Sequence, residues 1–202
     1  MKFEEELNIT RHVIDEFIIQ ANELKFSSEN FFVITNILEQ VSREINGLIK
    51  EKNNLFLVSL HVRNIFELLL ILKHVDSSHE NLKNWIGQMH KDLKDMIDGF
   101  NDLCESRNIH IEEFREIRTT INQSLLEHDF ESKHNFNIKN LAEKYGYKND
   151  YEAIFKLCSK FLHPSSLKIN GYSVFIEENA FLDILKVAVL FYCKEIKSII
   201  SV

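Results

Sequence analysis

The sequence contains few of the residues that break helices. Among its 202 residues there are one proline and five glycines. Proline lacks the backbone N–H that a helix interior needs, and glycine weakens a helix, so their scarcity leaves long helices uninterrupted. The sequence also lacks a Gly-rich phosphate-binding loop. Nucleotide hydrolysis by a P-loop mechanism is therefore excluded.

Cysteine is also scarce, and its pattern does not suit a disulfide framework or a metal site. The three cysteines are Cys104, Cys158 and Cys193, an odd number without metal-ligand spacing. Each lies in an apolar helical pattern, which predicts buried free thiols. Unpaired thiols are typical of a reducing compartment, so we expect a cytoplasmic protein.

Basic residues are fewer than acidic ones, with 24 Lys and Arg against 31 Asp and Glu, a net charge of −7. This balance argues against broad nucleic-acid binding and makes DNA an improbable partner, because such binding depends on neutralising phosphates. A local basic patch is still compatible with the composition. A groove around Lys156, Lys160 and Lys168 would favour RNA as a ligand.

Long apolar runs are missing as well. The longest one, Ile65–Val75, is interrupted by Glu67, Lys73 and His74. It is too short and too charged to span a bilayer, so we expect no membrane partner. The acidic N-terminal segment has no apolar core and predicts no signal peptide.

The abundant feature is apolar residues at three- and four-residue spacing along nearly the whole chain. This periodicity predicts an all-α protein, a single helical domain over residues 1–202 with seven or eight helices. Residues 164–175 are expected to form an irregular loop or a small hairpin around Asn170-Gly171. The first predicted helix covers about 4–24, the second runs from a cap at Ser27 or Ser28 to the polar run at 51–54, and the third covers about 55–75. The fourth is capped by Ser77 or Ser78. The others cover about 111–128, 138–145, 151–162 and 177–200.

The third of these helices carries the most informative polar residues. Arg63 and Glu67 are four residues apart, so they share one face of a helix that is apolar on nearly every side. We expect both to be buried and paired, because a buried charge is costly when unpaired. They form either a structural ion pair or part of a polar pocket. If the pair is buried, Glu67→Ala should cost about 3–5 kcal/mol.

A second group of polar residues lies near the only proline and consists of Tyr151, Ser159, His163 and Ser165. Pro164 disfavours helical geometry in the residue before it, so the helix should end at or just before His163. Ser159 and His163 are one turn apart, but nucleophilic catalysis would also need an orienting group and an oxyanion site. We therefore assign no catalytic residue. The candidate polar site joins the two groups and comprises Arg63, Glu67, Tyr151, Ser159, His163 and Ser165.

The nine histidines do not form a recognisable metal site. Neither the Glu-x-x-His pairs of di-iron bundles nor a His-Glu-x-x-His zinc helix is present. The sequence predicts no metal and no cofactor.

Two segments resemble the signatures of an uncharacterised family of bacterial and phage-associated helical proteins. The segment Arg63-Asn64-Ile65-Phe66-Glu67-Leu68 looks like the R-x-x-x-E helix of that family. The later segment, Leu141–Gly146 with Tyr151 and then Ser159–Ser165, looks like a second signature in which a Tyr, a Ser and a His-Pro-Ser run close a helix. The resemblance implies an all-helical fold and brings no activity with it.

A more distant resemblance is to the HEPN superfamily of helical bundles, many of which are RNases in toxin–antitoxin and phage-defence systems. Those enzymes use an Arg, a polar residue and a nearby downstream His. Arg63-Asn64 matches the start of that motif, but the next His on this helix is His74, so the catalytic motif is not intact. The resemblance implies a link to defence against mobile elements.

We interpret the chain as a non-catalytic binding or regulatory module. One alternative is a divergent HEPN-like RNase that uses His163 with Arg63. Another is a structural homo-oligomer, which the sixteen Phe residues favour. The expected partners are a second copy bound through the terminal helices, RNA, or another protein.

Overall fold

A computed structural model describes residues 2–23, 29–109, 116–117, 119–120, 123, 136–171 and 179–201. The chain divides into two compact units, and each is described by itself below. Unit 1 combines residues 1–74 with residues 137–202, and unit 2 is residues 75–136. The prediction that the whole chain is one domain stays a prediction.

The described residues form eight helices and no strand, which confirms the all-α prediction. The helices are α1 (Phe3–Glu23), α2 (Glu29–Glu51), α3 (Leu55–Ser77), α4 (His79–Ser106), α5 (Ile138–Lys144), α6 (Lys148–Asp150, the π turn Tyr151–Phe155 and Lys156–Leu162), α7 (Ser166–Asn170) and α8 (Asn179–Ile200). Helix α6 thus contains one five-residue π turn between two α-helical stretches.

Several predicted boundaries need correction. Helix α6 begins at Lys148, three residues before the predicted start at 151. The segment after Pro164 is helical over Ser166–Asn170, because the Ser165 hydroxyl accepts a hydrogen bond from the backbone N–H of Lys168 and caps α7. The hairpin therefore does not form through these residues, and 172–175 lie outside the described residues. Most of the predicted helix 111–128 also lies outside them.

The core of unit 1 is built around α3, whose apolar character on nearly every face predicted a buried helix. The fully buried ring of Phe66 contacts three other rings: Tyr147, Phe155 and Tyr192, at centroid distances of 6.4, 5.9 and 5.2 Å. Large buried aromatic clusters of this kind contribute strongly to core stability. By length and composition α3 would also pass as a membrane span, and its burial in unit 1 accounts for that composition.

Helices α3 and α6 run antiparallel, as their contacts show. Three contacts follow one another along α3. Phe56 contacts Phe161, Ser59 lies against the Cys158 thiol, and Arg63 lies over Phe155. Each forward turn of α3 is thus matched by a backward turn of α6. This register places the middle of α6 beside Arg63 and its end beside Phe56.

Three hydrogen bonds hold this part of unit 1 to α8. The Tyr192 hydroxyl donates to Asp150 at 3.0 Å, and the Tyr147 hydroxyl donates to Glu195 at 2.6 Å. Lys73 of α3 also donates to Glu195, at 3.1 Å. Burial is the main cause that raises the pKa of both tyrosines well above the ordinary value. Both phenols therefore stay neutral donors at physiological pH.

Unit 2 contains α4, which begins with a side-chain cap. The Ser78 hydroxyl accepts a hydrogen bond from the backbone N–H of Asn81. Leu82 and Ile97 are buried, and the ring of Trp85 stacks on Phe136 at a centroid distance of 5.8 Å. One face of α4 therefore packs into the interior of this unit.

Candidate functional site

Arg63 and Glu67 form the predicted ion pair. Arg63 Nε donates to Glu67 Oε1 at 3.0 Å, which confirms the interaction. The prediction that both are buried is wrong, since their side chains are 26% and 29% exposed. The reason is that α6 covers only one side of the pair, where the guanidinium lies over the Phe155 ring at 4.8 Å.

The π turn of α6 supplies the aromatic side of this site. Tyr151 stacks on Phe155 with the rings 4.9 Å apart and an interplanar angle of 18°. Phe155 is almost fully buried and Tyr151 is half-buried. Arg63 thus packs on Phe155, which in turn stacks on the half-buried ring of Tyr151. π turns inside α-helices are frequent at functional sites.

Positive charge is concentrated around this stack. Lys156 forms an ion pair with Glu152 and lies 5.8 Å from the Tyr151 ring centroid. The hydrogen bond from Lys156, with the added charges of Lys139 and Lys148, holds the pKa of the Glu152 carboxyl below its ordinary value. Lys156 therefore pairs with one exposed carboxylate, and the charges of Lys139 and Lys148 act on it as well, on a protein whose net charge is −7.

The helix end at Pro164 follows the prediction made from the proline. Helix α6 ends at Leu162, and His163 is extended with φ −86° and ψ 155°. Ser159 donates its hydroxyl hydrogen bond to the backbone carbonyl of Phe155, at 2.8 Å, instead of to His163. The His163 side chain is exposed, and the Ser165 hydroxyl donates to the Lys160 carbonyl at 2.7 Å. These polar groups stabilise the helix end and the start of α7.

The six candidate residues therefore fall into two groups instead of one. Arg63, Glu67 and Tyr151 lie together around Phe155. His163 lies two turns farther along α6, which corresponds to about 12 Å along the helix axis. The structure thus does not bring His163 into contact with Arg63.

The partial exposure of the ion pair changes the expected effect of Glu67→Ala. Partly exposed pairs contribute little, so we expect a loss of about 1 kcal/mol in the free energy of unfolding instead of the 3–5 kcal/mol of a buried pair. Urea denaturation followed by circular dichroism measures it. Glu67→Gln is the matched control, because it keeps the shape and removes the charge. A loss of about 3 kcal/mol or more would show that the pair behaves as a buried one.

A more buried polar cluster, between α2 and α3, was not predicted. Glu44 accepts hydrogen bonds from Gln40 at 2.8 Å and from Asn64 at 3.1 Å, and its other oxygen lies 2.7 Å from His61 Nδ1. The side chains of Glu44 and His61 are only 9% and 17% exposed. Burial acts to raise the pKa of Glu44, but these hydrogen bonds outweigh it and hold the pKa below its ordinary value.

Gly47 makes this cluster sterically feasible. A Cβ atom at position 47 would lie 2.2 Å from Cε1 and 2.4 Å from Nε2 of the His61 ring. The imidazole therefore occupies the space that any other residue would need. The signal in the sequence was a glycine inside α2, about one turn before its end, but the facing residue cannot be read from α2 alone.

The cysteines confirm part of their prediction. All three are free, and Cys158 and Cys193 are buried, whereas Cys104 is partly exposed. Burial raises the pKa of the Cys158 thiol to about 12, so it is not a nucleophile at neutral pH. Among the described residues no group of His, Cys, Asp and Glu is arranged to hold a metal ion.

Comparison of this chain with protein-family models, with curated proteins and with solved structures finds no significant match. The family resemblances drawn from its motifs stay predictions, and the function is argued from the geometry of the site.

Proposed function

We propose that this chain is a non-catalytic module that binds single-stranded RNA through the exposed face of α6. The observation that carries the proposal is the group of lysines around Glu152 beside the Tyr151 ring. Proteins that bind single strands combine a positively charged track for the backbone with aromatic rings on which bases stack. Both components occur here.

The charge distribution along α6 supports this proposal. Lys156 and Lys160 are exposed and one turn apart, and Lys139 and Lys148 act on the same carboxylate as Lys156. Lys168 of α7 lies farther along, 5.2 Å from the Phe56 ring centroid. These lysines stand out on a chain whose overall balance is acidic, and they would draw a nucleic-acid backbone toward α6.

Arg63 would contribute a second kind of contact. Its Nε is used by Glu67 and one face of the guanidinium lies on Phe155, but a quarter of the side chain is exposed. The remaining guanidinium N–H groups can donate to a phosphate or to a base edge. The Glu67 bond and the ring fix the orientation of these donors before RNA arrives.

Binding of a fluorescein-labelled, uridine-rich RNA of about twelve nucleotides, measured by fluorescence anisotropy, tests the proposal. Tyr151→Ala should weaken binding by about 1–3 kcal/mol, whereas Tyr151→Phe should retain it because the ring is kept. Lys156→Glu with Lys160→Glu should abolish binding. The matched charge control is Lys50→Glu with Lys94→Glu, two exposed lysines on other helices. Because it makes the same change in net charge on other helices, it should weaken binding far less than the α6 pair if contacts on α6 determine the affinity.

Two results would contradict the proposal. Equal weakening by both pairs of lysine substitutions would mean that net charge alone determines the affinity. Cleavage of the RNA that His163→Ala abolishes would favour the divergent RNase instead. The site geometry gives that alternative little support, since His163 lies away from Arg63.

Homo-oligomerisation is the second candidate function, and one observation favours it. Helix α8 presents three exposed apolar residues at helical spacing: Ile184, Val187 and Phe191, which are 49%, 70% and 46% exposed. A terminal helix with such a row fits the predicted contact with a second copy.

A further inference from the structure

Unit 2 contains a groove along α4 that the RNA proposal does not use. Its volume is about 420 Å³, within the range of about 300–1,000 Å³ that is usual for small-molecule sites. Most of its wall is apolar, and methionine side chains adapt readily to the shape of a ligand. The described residues that line it are Trp85, Gln88, Met89, Asp92, Leu93 and Met96.

Gln88 gives this groove an unused hydrogen-bond donor. The residue is 3% exposed, and its Oε1 accepts a hydrogen bond from the backbone N–H of Phe136 at 3.2 Å. Because a backbone N–H can only donate, this bond fixes which end of the amide is oxygen. The other end, Nε2, is buried and has no hydrogen-bond partner in the part of the chain that the structure describes. A buried donor without an acceptor costs about 1–3 kcal/mol, which a ligand with an acceptor would recover.

Asp92 adds an acceptor one turn farther along α4. It is exposed and lines the same groove. Residues four apart on a helix are about 5–6 Å from each other, so one small group can reach both. A carboxamide has this pair of functions, a carbonyl that accepts and an N–H that donates.

Trp85 supplies a fixed aromatic surface in the same wall. Its ring stacks on Phe136 at 5.8 Å and 24°, which limits its rotation. Met89 and Met96 are 53% and 49% exposed, so apolar area is open to a ligand beside it. Burying such area stabilises a complex in proportion to the apolar surface removed from water.

We propose that the α4 groove binds a small planar apolar molecule that carries a carboxamide. A small turn of the Gln88 side chain brings its buried Nε2 to the groove wall, where the carbonyl of the ligand accepts from it. The amide N–H donates to Asp92, and the ring packs on Trp85 and the two methionines. This site lies in unit 2, whereas the RNA proposal concerns unit 1, so the failure of one does not affect the other.

Three probes of matched shape test this assignment: 2-naphthamide, 2-acetylnaphthalene and 2-methylnaphthalene. Calorimetry gives their affinities, and the indole N–H signal in a ¹H–¹⁵N spectrum locates them, because Trp85 is the only tryptophan. We expect 2-naphthamide to shift this signal saturably. The methyl compound, which has no acceptor, should bind at least about tenfold more weakly than 2-naphthamide. The affinity of the acetyl compound should fall between those of the other two.

Gln88→Glu is the decisive variant, because it keeps an oxygen for the Phe136 N–H and removes the donor. It should lower the affinity for 2-naphthamide about tenfold and leave that for 2-methylnaphthalene unchanged. Gln88→Met gives a neutral second variant with the same expectation, and circular dichroism verifies that both fold. Asp95→Asn, on the same helix but outside the groove, should change neither affinity. Equal affinities for the three probes, or no shift of the Trp85 signal by any of them, would overturn the proposal.

Discussion

Replacing Phe66 with alanine should lower the free energy of unfolding by about 3–5 kcal/mol, the usual cost of removing a fully buried phenylalanine. The side chain has no exposed surface, and its ring contacts Tyr147, Phe155 and Tyr192. These partners come from α6, together with the residue before it, and from α8, and they cannot all close the resulting cavity. The lost aromatic contacts add to the cost of the cavity itself.

Guanidinium denaturation followed by circular dichroism measures this loss. Phe191→Ala is the matched control, since that ring is 46% exposed, and it should cost less than about 1.5 kcal/mol. Trp85, the only tryptophan, lies in unit 2 and reports its unfolding separately by fluorescence. An equal shift of both transitions would support the single-domain prediction. A loss below about 1.5 kcal/mol would contradict the central position assigned to Phe66.

Gly47→Ala should destabilise the protein by about 1–3 kcal/mol, although alanine normally strengthens a helix. The added Cβ would meet the His61 ring at 2.2 Å. The ring can move only by giving up its contact with Glu44, or else α2 and α3 must separate. Either change leaves a buried carboxylate with fewer hydrogen bonds, which is the larger part of the cost.

A double-mutant cycle with His61→Ala isolates this clash. Once the imidazole is removed, the Cβ at position 47 has free space, so the double variant should be more stable than the sum of the two single effects predicts. We expect a coupling of about 0.5–3 kcal/mol. Gly99→Ala is the control, because nothing lies within 4 Å of a Cβ there, and it should stabilise α4 by about 0.5–1 kcal/mol. Additive effects of Gly47→Ala and His61→Ala would exclude a clash between the added Cβ and the His61 ring.

The features that the sequence predicted correctly are those set by local chemistry. The apolar character of α3 on all faces implied a buried helix, and Pro164 implied that α6 ends before His163. The predicted helix 138–145 is found as α5 at Ile138–Lys144, and Gly146 follows it with a φ of +83°, a conformation that glycine adopts without strain.

The features that were missed depend on how two helices face each other. Arg63 and Glu67 could be paired from their spacing, but their exposure depends on how much of them α6 covers. The distance of His163 from Arg63 follows from the antiparallel register of α3 and α6, which no local pattern encodes. The Glu44 cluster likewise forms only because α2 and α3 lie side by side. The unused donor of Gln88 can be identified only from the structure, where the backbone N–H of Phe136 donates to the oxygen of the same amide.

The division of unit 1 into two segments has a consequence for synthesis of the protein. Translation releases α1, α2 and α3 first, then the whole of unit 2, and only afterwards the helices that cover α3. Until Tyr192 has left the ribosome, Phe66 lacks one of its three ring partners. The side of α3 that these helices cover therefore stays exposed on the nascent polypeptide until they are synthesised, and we expect binding by a chaperone that recognises apolar segments to matter more for this protein than for one whose units are continuous in sequence.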